Sequence, residues 1–410
     1  GMIAGLAISI ILGRTLGAEG LGIINLANRI VGFVLVFLML GLADVIVKEV
    51  AIAFERKDLQ RVTNVTFTAK LLIVPIAIVL SLGFIYISPK LAQDFFEEPK
   101  LRLPLIISLS VIVFQLLSRI YASSVNGFRK IWQSSLVNDT LSALVVVLGL
   151  LACLVFGIQI TIVSVAILYA GARIVVTLVF HLYWRTLFNP KLKPQLVSRS
   201  LLKVGIPLLI ASSSGLIKNN ADIIMLGWLS NSTEVGLYSV AARLGLLTSF
   251  VHLVTAASLS PKIASLYAEN KHMEMKRMVQ KITRLLAFVG ISSFIIYLVF
   301  GRPILSIWGA EFTSAYWALG IIAFGQLFNI TTGATGVMLI MTGHERIIGI
   351  ITLVSACVSI GLNLFLIPKF GAIGAAMATG STLILENMIK LIVVYKKLGV
   401  LTITFRRIHD

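Results

Sequence analysis

The chain has 410 residues, 58% of them apolar and only 13% charged, with a formal net charge of +18. Soluble domains carry about 25% charged residues, so a single water-soluble core is excluded. The apolar residues fall in runs of roughly 20 to 27, each long enough to cross a hydrocarbon layer of about 30 Å, and the Lys and Arg residues sit in short connectors between them rather than on one polar face, which argues against nucleic acid as a partner.

The first run, Met2 to Leu12, is too short to span and lacks the basic start and small-residue cleavage site of a signal peptide. It reads as the second part of a first helix, of which roughly ten or more residues are missing by the span-length argument. Further spans are expected at Leu21 to Val47, Val62 to Ile87, Leu103 to Asn126, Ile131 to Phe156 and Ile160 to Trp184, then at Val204 to Leu229, Val235 to Leu259, Ile282 to Trp308, Tyr316 to Met341, Ile347 to Ile367 and Ala372 to Tyr395. The polar stretch Ser260 to Lys281, with spaced Ile, Leu, Tyr and Met, reads as an amphipathic helix lying along the membrane surface.

Lys and Arg gather at 48–61, 129–130, 185–203, 262–284 and 396–407, whereas the alternate connectors hold only Arg14, Lys90, Lys100, Arg102, Arg302 and Lys369. Basic residues are retained on the cytoplasmic side, so both termini are expected there, in a multi-pass protein of the cytoplasmic membrane. Tryptophans 132, 184, 228, 308 and 317 fall near predicted span ends, where an amphipathic ring prefers the headgroup layer.

A shift of 214 places Gly13, Gly22, Ala27, Arg29 and Lys48 on Gly227, Gly236, Ala241, Arg243 and Lys262 without a gap. A second echo, at a shift of 216, sets Asn-Gly-Phe-Arg-Lys at 126–130 against Thr-Gly-His-Glu-Arg at 342–346. Duplication of a six-helix unit follows. Because six is even, both copies enter the membrane the same way round, as parallel repeats with a substrate cavity between them. The expected fold is therefore an all-α polytopic membrane protein of about twelve transmembrane helices in two parallel-repeat six-helix bundles around a central cavity. Its expected parts are an N-terminal bundle at 1–189, a basic cytoplasmic linker at 190–203 and a C-terminal bundle at 204–410.

The strings ILGRTLGAEGLGIINLANRIVGF at 11–33, ADIIMLGWLSNSTEVGLYSVAARL at 221–244 and GVMLIMTGHERIIGIITLVSACVSIGLNLFLIPKFGAIGAAMATG at 336–380 resemble the polysaccharide and O-antigen flippases of the multidrug/oligosaccharidyl-lipid/polysaccharide exporter superfamily. The resemblance covers nearly the whole chain. It implies a V-shaped pair of bundles that opens alternately to the two sides, an oligosaccharide on an undecaprenyl-type pyrophosphate as cargo, and no ATP site. Lipid II flippases of the same superfamily use an arginine late in the first helix, and Arg14, in GRTLG, stands in the matching place. Their other arginines do not map here, so the transfer stops at that residue.

Inside the expected spans lie Arg29, Lys70, Arg119, Arg173, Lys218, Arg243 and Lys390, against Asp44, Asp139, Asp222 and Glu386. A charge at mid-bilayer costs about 2.5 to 3.5 kcal/mol on insertion scales, so such groups face protein or water and mark pathways. Arg and Lys can replace the hydration of a pyrophosphate with charge-assisted hydrogen bonds. The substrate-binding candidates are Arg14, Arg29, Arg119, Arg173, Lys218 and Arg243. Arg29 and Arg243, at equivalent repeat positions, read equally as a structural pairing, and Asp222, one turn after Lys218, reads also as its neutralising partner. Lys70 and Lys390 read as side chains snorkelling to the interface. Asn329 and Asn363 read either as contacts to sugar hydroxyls or as interhelical hydrogen bonds.

Carrying negative charge outward across an inside-negative potential gains about 2.3 kcal/mol per charge per 100 mV, so no cofactor is required. Coupling to H+ or Na+ through Asp44, Asp139, Asp222 or Glu386 stays open. Cys153 and Cys357 lie in apolar runs, the five His are scattered, and no metal or nucleotide motif is present, so enzyme chemistry has no foothold. The expected partners are the lipid-linked glycan, membrane lipid, and a glycan polymerase and glycosyltransferases. The rival readings are a multidrug or cation antiporter of the same superfamily, which calls for an acidic cavity, and a non-transporting membrane scaffold for glycan assembly.

Overall fold

A computed structural model of the chain describes residues 2–188 and 192–402, with the side chains of Asp139, Pro207 and residues 210–219 outside the described set. Every regular element among the described residues is a helix. Seven helices are long and apolar enough to cross a membrane, and two bent pairs raise this to nine. The chain divides into two compact units, residues 1–216 with 231–233, and residues 217–230 with 234–410.

The first unit opens with α1 (Met2–Leu38), bent at Gly17, and α2 (Leu42–Glu55). α3 (Leu59–Lys90) follows; α4 (Arg102–Ser110) and α5 (Ile112–Gly127) belong to a pair bent by 46°. The short α6 (Ile131–Ser135) runs through a π-helical turn, Leu136–Leu141, into α7 (Ser142–Val155). α8 (Ile162–Leu187) starts on a capping box between Thr161 and Ser164, which satisfies two of its otherwise unpaired N–H groups. α1 is the inner helix of this unit, with 56% of its most apolar window buried, while only 22% is buried in the span that contains α3. Leu71, Val79, Leu82 and Tyr86 on α3 stay exposed, as a lipid-facing stripe requires.

α9 (Ser198–Leu229) contains the division between the units. The second unit continues with α10 (Ser232–Ala268) and α11 (His272–Ser306). Next come α12 (Tyr316–Thr331) and α13 (Thr335–Met341), which belong to a pair bent by 42°, and α14 (Glu345–Leu398). At 54 residues, α14 would be about 80 Å long if straight. Its backbone instead breaks at Gly371, with φ 52 and ψ −128, so residues 345–370 and 372–398 each have the length of one span. The expected runs Ile347 to Ile367 and Ala372 to Tyr395 fall on the two sides of that break.

Helix ends repeat at a shift of 213, within one residue of the sequence repeat: α2 ends at Glu55 and α3 begins at Leu59, while α10 ends at Ala268 and α11 begins at His272. The turns between them hold left-handed residues at Lys57 (φ 56) and Asn270 (φ 57). The two echo motifs are likewise the turns that lead into α6 and α14.

Two expectations are corrected. The run Leu21 to Val47 is not one straight helix, because Leu40 (φ 51) and Gly41 (φ 68) break it; a Cβ at Gly41 would fall on the Gly205 carbonyl, so the close approach of the α9 backbone selects glycine there. The stretch Ser260 to Lys281 is not a separate surface helix. It forms the end of α10, a tight turn and the start of α11, with Ile263, Leu266, Met275 and Val279 buried in one cluster with Met338, Leu339 and Val394.

Candidate functional site

In the first unit, four helices bring polar residues to one cavity of about 150 Å³. α5 supplies Gln115, Ser118 and Arg119, spaced three and four apart and so on one face. α8 supplies Arg173 and Val176, one turn apart, and α1 closes one wall with Leu35. Asn138 and Ser142 enter from the π-helical turn and the start of α7, where the wider winding re-aims the side chains it carries.

Arg173 is half-buried and held by its neighbours. Its Nη2 donates to Asn28 Oδ1 on α1 at 2.8 Å, and the Gln115 amide, turned with its oxygen inward, accepts from the same guanidinium. Thr177 Oγ1 ties α8 to α5 by donating to the Phe114 carbonyl at 2.7 Å. Arg119 is exposed at the cavity mouth. Among the described lining residues none is acidic, so the cavity presents two guanidinium groups, two amides and two hydroxyls. Such a lining suits an oxyanion, because each guanidinium offers a planar fork of N–H donors.

Of the other expected site residues described in this unit, Arg14, Arg29 and Asp44 are not among those lining the cavity. Arg14 is exposed on α1 ahead of the Gly17 bend, and Arg29, half-buried, lies about 100° round the helix from Asn28. Asp44 is exposed on α2. The side chains of Asp139 and Lys218 lie outside the described residues, so the pairing of Lys218 with Asp222 does too.

In the second unit the acids are engaged internally. Tyr238, fully buried, donates its hydroxyl to Asp222 Oδ2 and lies 2.9 Å from Thr379 Oγ1. Glu386 Oε1 and Lys390 Nζ form a buried ion pair at 2.6 Å, so Lys390 does not snorkel. Glu234 Oε2 accepts from the Ala372 N–H at 2.6 Å and caps the helix that restarts after Gly371. Arg243, half-buried on α10, is in this unit as well. Beside the ion pair, Asn387 donates to Asn329 Oδ1 and Asn329 to Gln326 Oε1, both at 3.1 Å. Asn329 therefore serves interhelical bonding, and the fully buried Asn363 donates back to the Ser359 carbonyl of its own helix at 2.9 Å.

Among known proteins, the family model described as polysaccharide biosynthesis protein matches residues 1–267, well over half of the sequence. The chain belongs to the polysaccharide biosynthesis protein family. The MatE model also matches this family member, over residues 207–365. The capsular polysaccharide biosynthesis protein CapF of Staphylococcus aureus is 27% identical over 191 residues, 46% of this chain and 47% of that protein. The probable low-salt glycan biosynthesis flippase Agl15 of Haloferax volcanii is 25% identical over 183 residues, 44% of this chain and 39% of that one. The match thus spans less than half the length of these curated relatives. In fold, this polysaccharide biosynthesis protein superposes on an inward-facing multidrug resistance MATE family transporter of the MOP superfamily, with a TM-score of 0.81 at 14% identity over 98% of this chain and 96% of that one. It superposes on the lipid II flippase MurJ, in an inward closed conformation, with a TM-score of 0.75 at 17% identity over 96% and 85%. The chain therefore shares the all-helical, multi-pass fold of these two proteins.

Proposed function

We propose that this transporter is a flippase that moves an undecaprenyl-pyrophosphate-linked oligosaccharide from the inner to the outer leaflet of the cytoplasmic membrane by alternating access. The observation that carries the reading is the cavity in which Arg119 and Arg173 converge with amide and hydroxyl groups and no described acid. Those guanidiniums bind the pyrophosphate while the lipid tail stays in the bilayer, and Arg14, Arg29, Lys218 and Arg243 are the further proposed substrate-binding residues. Asn138, Ser118 and Ser142 hydrogen-bond either the phosphate oxygens or the first sugar. The membrane potential favours outward movement of the anionic headgroup by about 2.3 kcal/mol per charge per 100 mV. Membership in the polysaccharide biosynthesis family supports a glycan cargo, and glycosyltransferases and a polymerase are its proposed partners.

The test is transfer of a labelled undecaprenyl-pyrophosphate glycan across the bilayer of reconstituted vesicles. Arg119→Ala, Arg173→Ala and Lys218→Ala, each inserted and folded, lose transfer. Normal transfer in all three overturns the site assignment, whereas no transfer by the native chain together with drug resistance conferred on an efflux-deficient host overturns the reading in favour of the cation antiporter.

A further inference from the structure

A second cationic cavity lies at the other end of the α5–α8 pair, and the cargo path above does not use it. It has a volume of about 230 Å³ and is lined by residues of α3, the end of α8 and the segment after it. Its charge is Lys70, about 16 Å along α3 from the helix start. Lys70 Nζ donates to Tyr121 Oη at 3.2 Å and stands 4.4 Å from the centre of that ring. Tyr121 Oη in turn lies 2.7 Å from His181 Nδ1. The three side chains thus form one hydrogen-bonded chain from α3 through α5 to α8. An ammonium has three N–H donors, so Lys70 keeps donors for a second acceptor. Among the described residues no acid lines the cavity; Glu49, near the same end, pairs with Arg61 at 2.7 Å.

The opposite wall is built from the segment between the helices. Gln60, Asn64 and Thr68, four residues apart on one stripe of α3, bond the backbone of residues 193–197 in register. Gln60 Nε2 donates to the Lys193 carbonyl at 2.7 Å, Asn64 Oδ1 accepts from the Gln195 N–H at 2.8 Å, and Thr68 Oγ1 accepts from the Val197 N–H at 3.1 Å. The segment is thereby strapped along α3, with Leu192 and Pro194 facing the cavity beside Trp184 and Phe188. The basic connectors Arg61, Arg129, Arg185 and Lys193 share this end of the unit, which connector charge assigns to the cytoplasm.

We propose that Lys70, supported by Tyr121 and His181 under this strap, is a phosphate-binding subsite at the cytoplasmic end of the first unit, where a phosphorylated headgroup is held before it reaches Arg119 and Arg173. The inference rests on the flippase reading for the identity of the cargo and on the cavity for the chemistry. An ammonium backed by a hydroxyl, beside aromatic side chains that suit the adjoining isoprenoid, fits a phosphate ester of a lipid. That phosphate comes from either a lipid-linked glycan or an anionic membrane lipid.

Trp184, on the cavity wall and 6% exposed, reports occupancy. The full chain in neutral phosphatidylcholine nanodiscs is titrated with inorganic pyrophosphate and followed by tryptophan fluorescence, with Trp184→Phe giving the background. The expected result is a saturable Trp184 response that Lys70→Ala weakens about tenfold or more, the scale of one lost hydrogen bond to a charged group, and that Lys70→Arg largely restores. Phosphatidylglycerol in the discs, if it suppresses the response in the native chain, identifies a membrane lipid as the occupant; if it does not, the lipid-linked cargo is favoured. A response unchanged in Lys70→Ala, or no Trp184-dependent response to either probe, overturns the subsite. Absence of glycan transfer by the native chain bears on the flippase reading alone, so the two results are separable.

Discussion

Replacing Gly371 by Ala tests the break that divides α14 into two span-length halves. At φ 52 and ψ −128 an alanine occupies a sparsely populated region, at about 1 to 3 kcal/mol. Its Cβ would also lie 2.6 Å from Glu234 Oε2, so the carboxylate must withdraw from the Ala372 N–H that it caps at 2.6 Å. Losing a helix N-cap adds about 0.5 to 2 kcal/mol, which brings the expected destabilisation to roughly 2 to 5 kcal/mol. The two contributions separate in a double-mutant cycle. Glu234→Ala alone removes the cap, and Gly371→Ala in that background adds only the backbone strain, because no carboxylate remains to be displaced. The double variant is therefore less destabilised than the sum of the singles by about 0.5 to 2 kcal/mol. The assay is unfolding of purified protein in mixed micelles, read by loss of helical circular dichroism as sodium dodecyl sulfate increases. Strict additivity, or a Gly371→Ala variant as stable as the native chain, refutes the argument that Glu234 and Gly371 act as one joint.

Four further outcomes follow from the same contacts. Arg119→Ala, at an exposed position, changes the unfolding midpoint little, whereas Arg173→Ala strands the Asn28 and Gln115 amide oxygens and destabilises by about 1 to 3 kcal/mol for each buried acceptor left unpaired; equal stability losses would contradict the cavity geometry. Lys390→Ala removes the ammonium partner of the buried Glu386 carboxylate and costs about 3 to 5 kcal/mol, while the double variant Glu386→Leu, Lys390→Met recovers much of that in the same unfolding assay. Tyr238→Phe removes a hydrogen bond to Asp222 and destabilises by about 1.5 to 3 kcal/mol, and a neutral result would show that the bond carries no energy. Asn64→Ala loosens the strap, so chymotrypsin cleaves after the exposed Leu196 faster than in the native chain.

The spans were legible because lipid imposes long apolar runs and collects positive charge in alternate connectors. The breaks were legible only in part. Gly371 falls in the gap between two expected runs, but Leu40 adopts a left-handed conformation that an ordinary leucine does not advertise. Its break depends on the neighbouring Gly41 and the α9 backbone packed against it. The amphipathic pattern at Ser260 to Lys281 is real, yet its apolar face is satisfied by protein rather than by the membrane surface, a choice that local periodicity does not encode. In the site, Arg119 and Arg173 stand out as charges inside apolar runs, whereas Gln115 and Asn28 do not, since an amide in a span reads equally as interhelical glue. Glu386 and Lys390 are four apart, so their pairing is carried by the sequence and the snorkelling reading overlooks it. The Lys70, Tyr121 and His181 chain joins three helices and has no local signal.

The two units share a repeat and differ in what they do with charge. In the first, the guanidinium of Arg173 is oriented by neutral amides and the ammonium of Lys70 by a hydroxyl, so their positive charge is positioned without being cancelled. In the second, Glu386 is matched by Lys390, Glu234 by a helix N-terminus and Asp222 by a buried tyrosine hydroxyl, so the acids are committed to holding the unit together. A cation exporter needs the reverse assignment, with oriented but uncancelled carboxylates in the cavity. Among the described side chains, neutral partners around these half-buried cations are the arrangement that leaves an electrostatic site open to an arriving anion, and that asymmetry is the physical basis for preferring a phosphorylated cargo over a cationic one.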